Sequence, residues 1–169
     1  MKKIGLISDT HGYLDPKVAK YFKEVDEIWH AGDIGDRDVI TALEQLAPVK
    51  AVYGNIDSSI IRAEFPLDLF FKCEALNVWI THIGGYPGRY PKRVREYLAS
   101  NPSPDLFIDG HSHILKVMKD EKYNLLHMNP GAAGVHGFHK VKTILRFEIN
   151  GSKIQNLEAI ELGKRGFSS

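Results

Sequence analysis

Residues 3–12 of the chain, KIGLISDTHG, contain a short apolar run that ends in Asp9, Thr10, His11 and Gly12. An apolar run of this length, bounded by polar residues and glycine, predicts a buried β-strand. The same arrangement, a strand-like run followed by candidate metal ligands, occurs at four further places. These places carry Asp33, Asn55, His82, and the pair His111 and His113. An ordinary core does not require this repetition, so the pattern predicts strands that bring their ends to one metal centre.

The first third of the chain alternates between predicted strands and helices. Residues 3–8, 27–30 and 50–53 have strand patterns. The first intervening helix is predicted to begin at Pro16, with Asp15 as its N-cap. The second is predicted over residues 36–46, where apolar residues recur at helical spacing. This alternation is typical of a parallel βαβ layer.

The rest of the chain is richer in patterns of antiparallel strands. The predicted strands are 67–71, 75–81, 105–109, 114–119, 123–128, 143–149 and 153–160, with one further helix over 91–100. The turn Asn150-Gly151 is typical of a β-hairpin. No internal repeat or linker interrupts the chain, and 169 residues suffice for one buried core. We therefore expect a single α/β domain, residues 1–169, with two packed sheets.

Composition narrows the classes of partner. The 22 basic and 21 acidic side chains give a net charge of +1, which argues against a nucleic-acid footprint or a polybasic membrane patch. The single cysteine, Cys73, excludes an internal disulfide framework. No apolar run approaches the ~20 residues of a membrane span, and the first apolar run is too short for a secretory signal. We expect a cytoplasmic protein with no membrane partner and no strong nucleic-acid signal; a homo-oligomer, paired through the C-terminal hairpin, is left open.

The spacing of the candidate ligands suggests how they converge. In an extended segment residues i and i+2 point to the same side, so Asp9 with His11, and His111 with His113, are each expected to act together. Glycines beside the clusters permit sharp turns and close backbone approach. They are Gly12, Gly32, Gly54, Gly84 and Gly110. Open α/β sheets bind ligands beyond the carboxyl ends of their strands, which is where these residues lie.

Four imidazoles, two carboxylates and one amide are too many ligands for one catalytic ion, and they suit two ions that share a carboxylate. Two divalent ions bring four positive charges against two negative charges from Asp9 and Asp33. A bridging hydroxide still leaves the centre cationic, so it would attract an anionic ester, and we expect a small phosphoester substrate. Nitrogen and oxygen ligands without thiolate favour first-row ions. We expect two divalent ions, manganese first, with iron, zinc, nickel or magnesium as alternatives.

The five clusters, in order, resemble the five motifs of the calcineurin-like metallophosphoesterases. The segments are Ser8 to Gly12, Gly32-Asp33, Gly54-Asn55, Thr81-His82 and Gly110 to His113. The short chain and the segments GNID (54–57) and NPG (129–131) are most similar to the compact single-domain phosphodiesterase branch. The resemblance implies a four-layer α/β/β/α sandwich, two mixed sheets flanked by helices.

The resemblance also implies a ligand assignment. Asp9, His11 and His113 would hold one ion. The other ion would be held by Asn55, His82 and His111, with Asp33 as the bridge. Asn55 would also bind the substrate, and a hydroxide bound by both metals would attack the phosphorus.

One position departs from the family pattern. Many members have a histidine after the Gly-Asn pair that assists the leaving group, and here that position is Ile56. The general acid is therefore unknown, and Asp57 is interpreted as a cap or a partner of the ligands. We expect a phosphodiesterase for activated or specific diesters. The alternatives are a non-catalytic protein-binding scaffold on the same fold and a phosphomonoesterase.

Four further histidines lack motif partners. His30 lies inside a predicted strand and is expected to be packed. His127, His136 and His139 are not expected to bind metal, although His136 lies in a glycine-rich stretch that could reach the rim of the site.

Overall fold

The computed structural model describes residues 1–167. The strands are β1 (Lys2–Ile7), β2 (Glu27–His30), β3 (Val49–Ala51), β4 (Asp68–Cys73), β5 (Leu76–Thr81), β6 (Leu106–Ile108), β7 (Leu115–Asp120), β8 (Leu125–Pro130), β9 (Val141–Asn150) and β10 (Lys153–Lys164). The helices are α1 (Val18–Phe22), α2 (Arg37–Glu44), α3 (Ser59–Glu64) and α4 (Lys92–Ser100).

Two five-stranded sheets form the centre of the molecule. The first has the order β10-β9-β1-β2-β3, in which β1, β2 and β3 are parallel and β9 and β10 antiparallel. The second has the order β4-β5-β6-β8-β7, in which β5, β6 and β8 are parallel. The outer strands β4 and β7 run antiparallel to their neighbours. Every predicted ligand cluster follows one of the parallel strands.

Three hydrophobic clusters separate four layers. The two sheets face each other across an apolar core that includes Leu6, Trp29 and Ile80. Helices α1 and α2 pack on the outer face of the first sheet through residues such as Phe22. Helix α4 covers the second sheet through Leu98, among others. The predicted fold, two mixed sheets flanked by helices, is confirmed.

The helices differ from the prediction at two points. Helix α1 begins at Val18 rather than Pro16, and its N-cap position is Lys17. The Asp15 carboxylate does accept a hydrogen bond from Lys17 N, but its other oxygen lies 2.6 Å from Lys142 Nζ in a buried ion pair. Helix α3 was not predicted, because it is short and has one buried apolar residue, Ile61.

Within the described part of the chain, no helix has the length and hydropathy that crossing a membrane requires.

Candidate metal centre

The candidate ligands lie in sharp turns beyond the strand ends. Asp9 and Asp33 follow β1 and β2, and both have left-handed backbone conformations, with φ of 54° and 55°. The same holds for His11 (47°), His111 (69°) and His113 (61°). The expectation that residues 9–11 and 111–113 are extended is therefore wrong. Left-handed residues other than glycine cost about 1–3 kcal/mol each and concentrate at functional sites.

The turns bring the side chains into two groups that could each hold a metal ion. Asp9, His11 and His113 form the first group, and their candidate ligand atoms all lie within 4.8 Å of one another. Asp33, His82 and His111 form the second group by the same measure. His111 and His113 thus belong to different groups, although their spacing alone suggested that both side chains point to the same place.

One separation inside each group matches that of atoms that share an ion. His113 Nε2 lies 3.1 Å from Asp9 Oδ1, and His82 Nε2 lies 3.2 Å from Asp33 Oδ2. Ligand atoms about 2.0–2.2 Å from one ion, at tetrahedral or octahedral angles, lie about 3–3.5 Å apart. Three buried atoms of the set have no hydrogen-bond partner among the described residues. They are Asp9 Oδ1, His11 Nε2 and His82 Nε2. Because buried polar atoms are almost always satisfied, these atoms fit a site for cations.

Asp33 belongs to the second group and also contacts the first. Its Oδ2 is 3.2 Å from His82 Nε2 and 3.3 Å from His11 Nε2, so one oxygen contacts a histidine of each group. Burial alone would raise the pKa of Asp33, but the contacts with His11 and His82 outweigh burial and hold this pKa well below its ordinary range. Asp33 is therefore an anion under all ordinary conditions.

The same contacts also shift the pKa values of His11 and His82. The Asp33 carboxylate raises the pKa of His11. Burial lowers the pKa of His82, yet the Asp33 and Asp9 carboxylates outweigh it and the net shift is upward. An ion bound by these rings would have to displace their protons, since an imidazole ligates metal only when that nitrogen is unprotonated.

Backbone contacts fix the orientation of His82. Its Nδ1 lies 2.7 Å from Ala31 O, and a carbonyl oxygen can only accept, so Nδ1 carries the hydrogen. The lone pair of Nε2 is then directed toward Asp33. His30 is packed as expected: its Nδ1 accepts from Gly32 N, and its Nε2 donates to Thr10 Oγ1. Complete burial lowers the pKa of His30 to about 4, so this ring is neutral at physiological pH.

The turn after β3 contacts the second group both through the Asn55 side chain and through backbone hydrogen bonds. Asn55 Oδ1 lies 3.0 Å from His111 Nδ1, at the exposed edge of the second group. Ile56 N donates to Asp33 Oδ1 at 3.1 Å. Asp57 accepts backbone hydrogen bonds from residues 34, 35 and 54, and so ties the Asp33 turn to the Asn55 turn. A Cβ atom at Gly54 would overlap the Asp33 carboxylate, which requires glycine there.

Sequence reasoning missed the role of His139. Its Nε2 lies 2.7 Å from Gly134 O and must donate, so its Nδ1 accepts from His113 Nδ1 at 3.3 Å. That hydrogen bond leaves the His113 Nε2 lone pair directed toward Asp9. His136 stacks on the His11 ring, with centroids 5.1 Å apart, and so does reach the rim. The only available signal was the density of histidines in residues 136–139.

A second buried pair was also missed. His127 Nε2 lies 2.8 Å from Asp109 Oδ1, and neither residue belongs to the two ligand groups. Burial raises the pKa of Asp109 to about 6. Asp109 directly precedes Gly110 and His111, so the pair lies at the base of the turn that carries two candidate ligands.

Comparison with known proteins identifies the family. A model of the calcineurin-like phosphoesterase superfamily domain matches residues 1–152. The chain belongs to this superfamily. The probable metallophosphoesterase of Methanothermobacter thermautotrophicus is 34% identical over 165 residues, covering 95% of this chain and 92% of that protein. A second probable metallophosphoesterase, from Methanocaldococcus jannaschii, is 31% identical over 78% of this chain and 68% of its own length.

Solved structures share the fold of this calcineurin-like chain. Vps29 of Entamoeba histolytica, solved in complex with Zn²⁺, has a TM-score of 0.72 at 17% identity, covering 95% of this chain and 98% of that one. A predicted phosphoesterase of Streptococcus pneumoniae has a TM-score of 0.69 at 22% identity, over 95% and 89% of the two chains. At these identities the likeness establishes the architecture alone.

Proposed function

We propose that this calcineurin-like phosphoesterase is a phosphodiesterase that depends on two divalent ions. The observation that carries the proposal is the contact of Asp33 Oδ2 with His82 of one ligand group and His11 of the other. Two ions that share this oxygen would be held by the full set of predicted ligands. Asp9, His11 and His113 would hold one ion, and Asn55, His82 and His111 the other.

Two such ions, when bound, supply Lewis acidity toward a phosphoryl oxygen and lower the pKa of a coordinated water. The residues of the chain would orient the ligand nitrogens and partly neutralise the charge of the ions. His139 and Ala31 O fix the ring nitrogens of His113 and His82. Two carboxylates among the ligands leave four ionic charges incompletely neutralised, so an anionic ester is attracted. Asn55, at the exposed edge, is placed to contact a phosphoryl oxygen.

The identity of residue 56 favours diesters with an activated leaving group or with specific binding groups. Ile56 is 46% exposed at the edge of the site and has no proton to donate. The absence of thiolate from the ligand set fits manganese, our first candidate, as it fits other first-row ions. Zinc is an alternative, supported by the Zn²⁺ complex of Vps29. Cytoplasmic localisation and homo-oligomer formation stay predictions from the sequence.

The proposal is tested on the metal-depleted protein. We expect hydrolysis of bis(p-nitrophenyl) phosphate to appear on addition of Mn²⁺, Ni²⁺, Zn²⁺ or Mg²⁺, and p-nitrophenyl phosphate to be a much poorer substrate. Release of p-nitrophenolate measures the hydrolysis of both esters, and the metal content per chain is determined in parallel. Equal turnover of the monoester and the diester would contradict the preference for diesters.

The second candidate function is a protein-binding scaffold. Ile56 in place of a proton donor and the fold shared with Vps29 favour it. Two bound ions per chain with no hydrolysis of any of these esters would support the scaffold and contradict the phosphodiesterase.

Substitution His139→Leu is expected to weaken metal binding. The change removes the acceptor for His113 Nδ1, and loss of such a partner typically costs roughly 10–100-fold in metal affinity. Titration of Mn²⁺ against a fluorescent chelator measures the change. The matched control is His136→Phe, which keeps a ring against His11 and removes no hydrogen bond of His113. Equal affinity of His139→Leu and the wild type would show that the His113–His139 contact does not orient a ligand.

A further inference from the structure

Two clefts open onto the candidate metal centre from different sides. The first cleft, about 350 Å³, is lined by residues that include Tyr53, Asn55, Arg62, Leu67 and His82. The second cleft, about 290 Å³, is lined by residues that include Tyr86, Arg89, His111 and Ser112. Ile83 and Pro91 line both clefts. The clefts are therefore adjacent, the first bordered by His82 and the second by His111.

Each cleft combines a tyrosine, an arginine and apolar wall. In the first, the Arg62 guanidinium lies 4.8 Å from the centroid of the Tyr53 ring, beside Leu67, which is 42% exposed. In the second, Tyr86 is 40% exposed and Arg89 is exposed on the same loop. Aromatic rings and guanidinium planes are the surfaces on which proteins stack planar bases.

The charges of the two arginines are available to a ligand. Arg62 donates its hydrogen bonds to the backbone carbonyls of Asn55 and Asp57, which are neutral. In residues 1–167 neither Arg62 nor Arg89 forms an ion pair, whereas Arg93, also at the first cleft, is paired with Asp68. Both clefts thus combine an apolar wall with an uncompensated positive charge.

We infer that the two clefts bind the two ester groups of one phosphodiester, each a planar ring-bearing group of nucleoside size. The substrate class is then a dinucleotide-type diester, with its phosphate between the clefts. The inference rests on the proposed phosphodiesterase and names its substrate. A phosphomonoester has one ester group and leaves one cleft empty. Each volume is near the lower end of the roughly 300–1,000 Å³ of small-ligand pockets, which suits one nucleoside-sized group.

This arrangement also addresses the missing proton donor. Binding energy from parts of a substrate remote from the reacting bond can be used to lower the barrier at that bond. Because Ile56 cannot protonate a leaving group, contacts in two clefts are a source of the rate that the family histidine would otherwise provide.

The first test compares two diesters with the same leaving group on the metal-loaded protein. Thymidine 5′-(p-nitrophenyl) phosphate places a nucleoside in one cleft, whereas methyl p-nitrophenyl phosphate offers only a methyl group. We expect kcat/KM to be at least about tenfold higher for the thymidine ester. Equal values on an active enzyme would overturn the two-cleft inference and leave the phosphodiesterase proposal intact.

The second test measures binding without turnover. Isothermal titration calorimetry with dithymidine methylphosphonate, which keeps both nucleosides, is expected to show binding at least about tenfold tighter than thymidine. Arg89→Met and Leu67→Trp, which alter the second and first cleft, should each weaken binding of the methylphosphonate, and the variant in the cleft that takes the nucleoside should also reduce the ratio of kcat/KM between the thymidine and methyl esters. Lys92→Met, which removes an exposed cation outside both clefts, is the control. No binding of the methylphosphonate would overturn the inference even if the protein has no hydrolytic activity.

Discussion

Replacement of Asp33 by asparagine is expected to reduce the bound metal from two ions per chain to one or fewer and to abolish most hydrolysis. Asp33 Oδ2 is the atom that contacts both ligand groups, and asparagine keeps the shape of the side chain while removing its charge. Lewis-acid stabilisation is worth several kcal/mol and each 1.36 kcal/mol is tenfold in rate, so kcat should fall at least about 100-fold. Metal content by mass spectrometry and release of p-nitrophenolate measure the two effects.

Asp36→Asn is the matched control for this substitution. Asp36 lies three residues further along and is exposed, and its side chain caps α2 by accepting from Asp38 N. Asparagine caps helices about as well as aspartate, so neither metal content nor rate should change. Two ions per chain and an unchanged rate in Asp33→Asn would exclude Asp33 as the bridge.

Lys142→Met is expected to destabilise the fold more than any surface substitution. Lys142 and Asp15 are each 1% exposed, and Nζ lies 2.6 Å from the Asp15 carboxylate. The pair joins β9 to the segment that follows the Asp9–His11 turn. Removing one member of a buried ion pair leaves the other charge without that compensation and costs about 3–5 kcal/mol. Urea denaturation of the metal-free protein measures the free energy of unfolding without a contribution from bound ions.

Two further variants test whether the loss of stability comes from leaving a buried charge unpaired or from breaking any ion pair. The double variant Asp15→Leu, Lys142→Met removes both charges and should be more stable than Lys142→Met alone. Lys92→Met breaks the exposed pair with Glu96, whose atoms are 3.7 Å apart, and should change stability far less. A Lys142→Met protein as stable as the Lys92→Met control would show that the buried pair contributes nothing.

Local patterns predicted most of the fold. The apolar runs ending in polar residues are the parallel strands β1, β2, β3, β5 and β6, and their alternation with helices fixed the βαβ layer. Helix α3 was not predicted because six residues with one buried side chain show no detectable helical periodicity in hydrophobicity. Helix α1 begins two residues later than predicted, and the Asp15 side chain that was predicted to cap it is also held by Lys142, which lies 127 positions away in the chain. A contact of that separation has no local signal.

The amino-acid sequence alone specifies which residue types stand at the strand ends, and therefore that the chain carries a candidate ligand set resembling that of the metallophosphoesterases. Spacing alone did not indicate how they are grouped, because left-handed turns at Asp9, His11, His111 and His113 replace the extended geometry that spacing suggested. The family resemblance implied that His113 acts with Asp9 and that His111 acts with His82. Only the tertiary structure shows the distances within these groups and the position of His139 behind His113. The first cleft likewise exists only where the turns after β3 and β5 meet, and the second where the turns after β5 and β6 meet. Residue identity is encoded locally, whereas the direction of a side chain depends on backbone angles that long-range packing imposes.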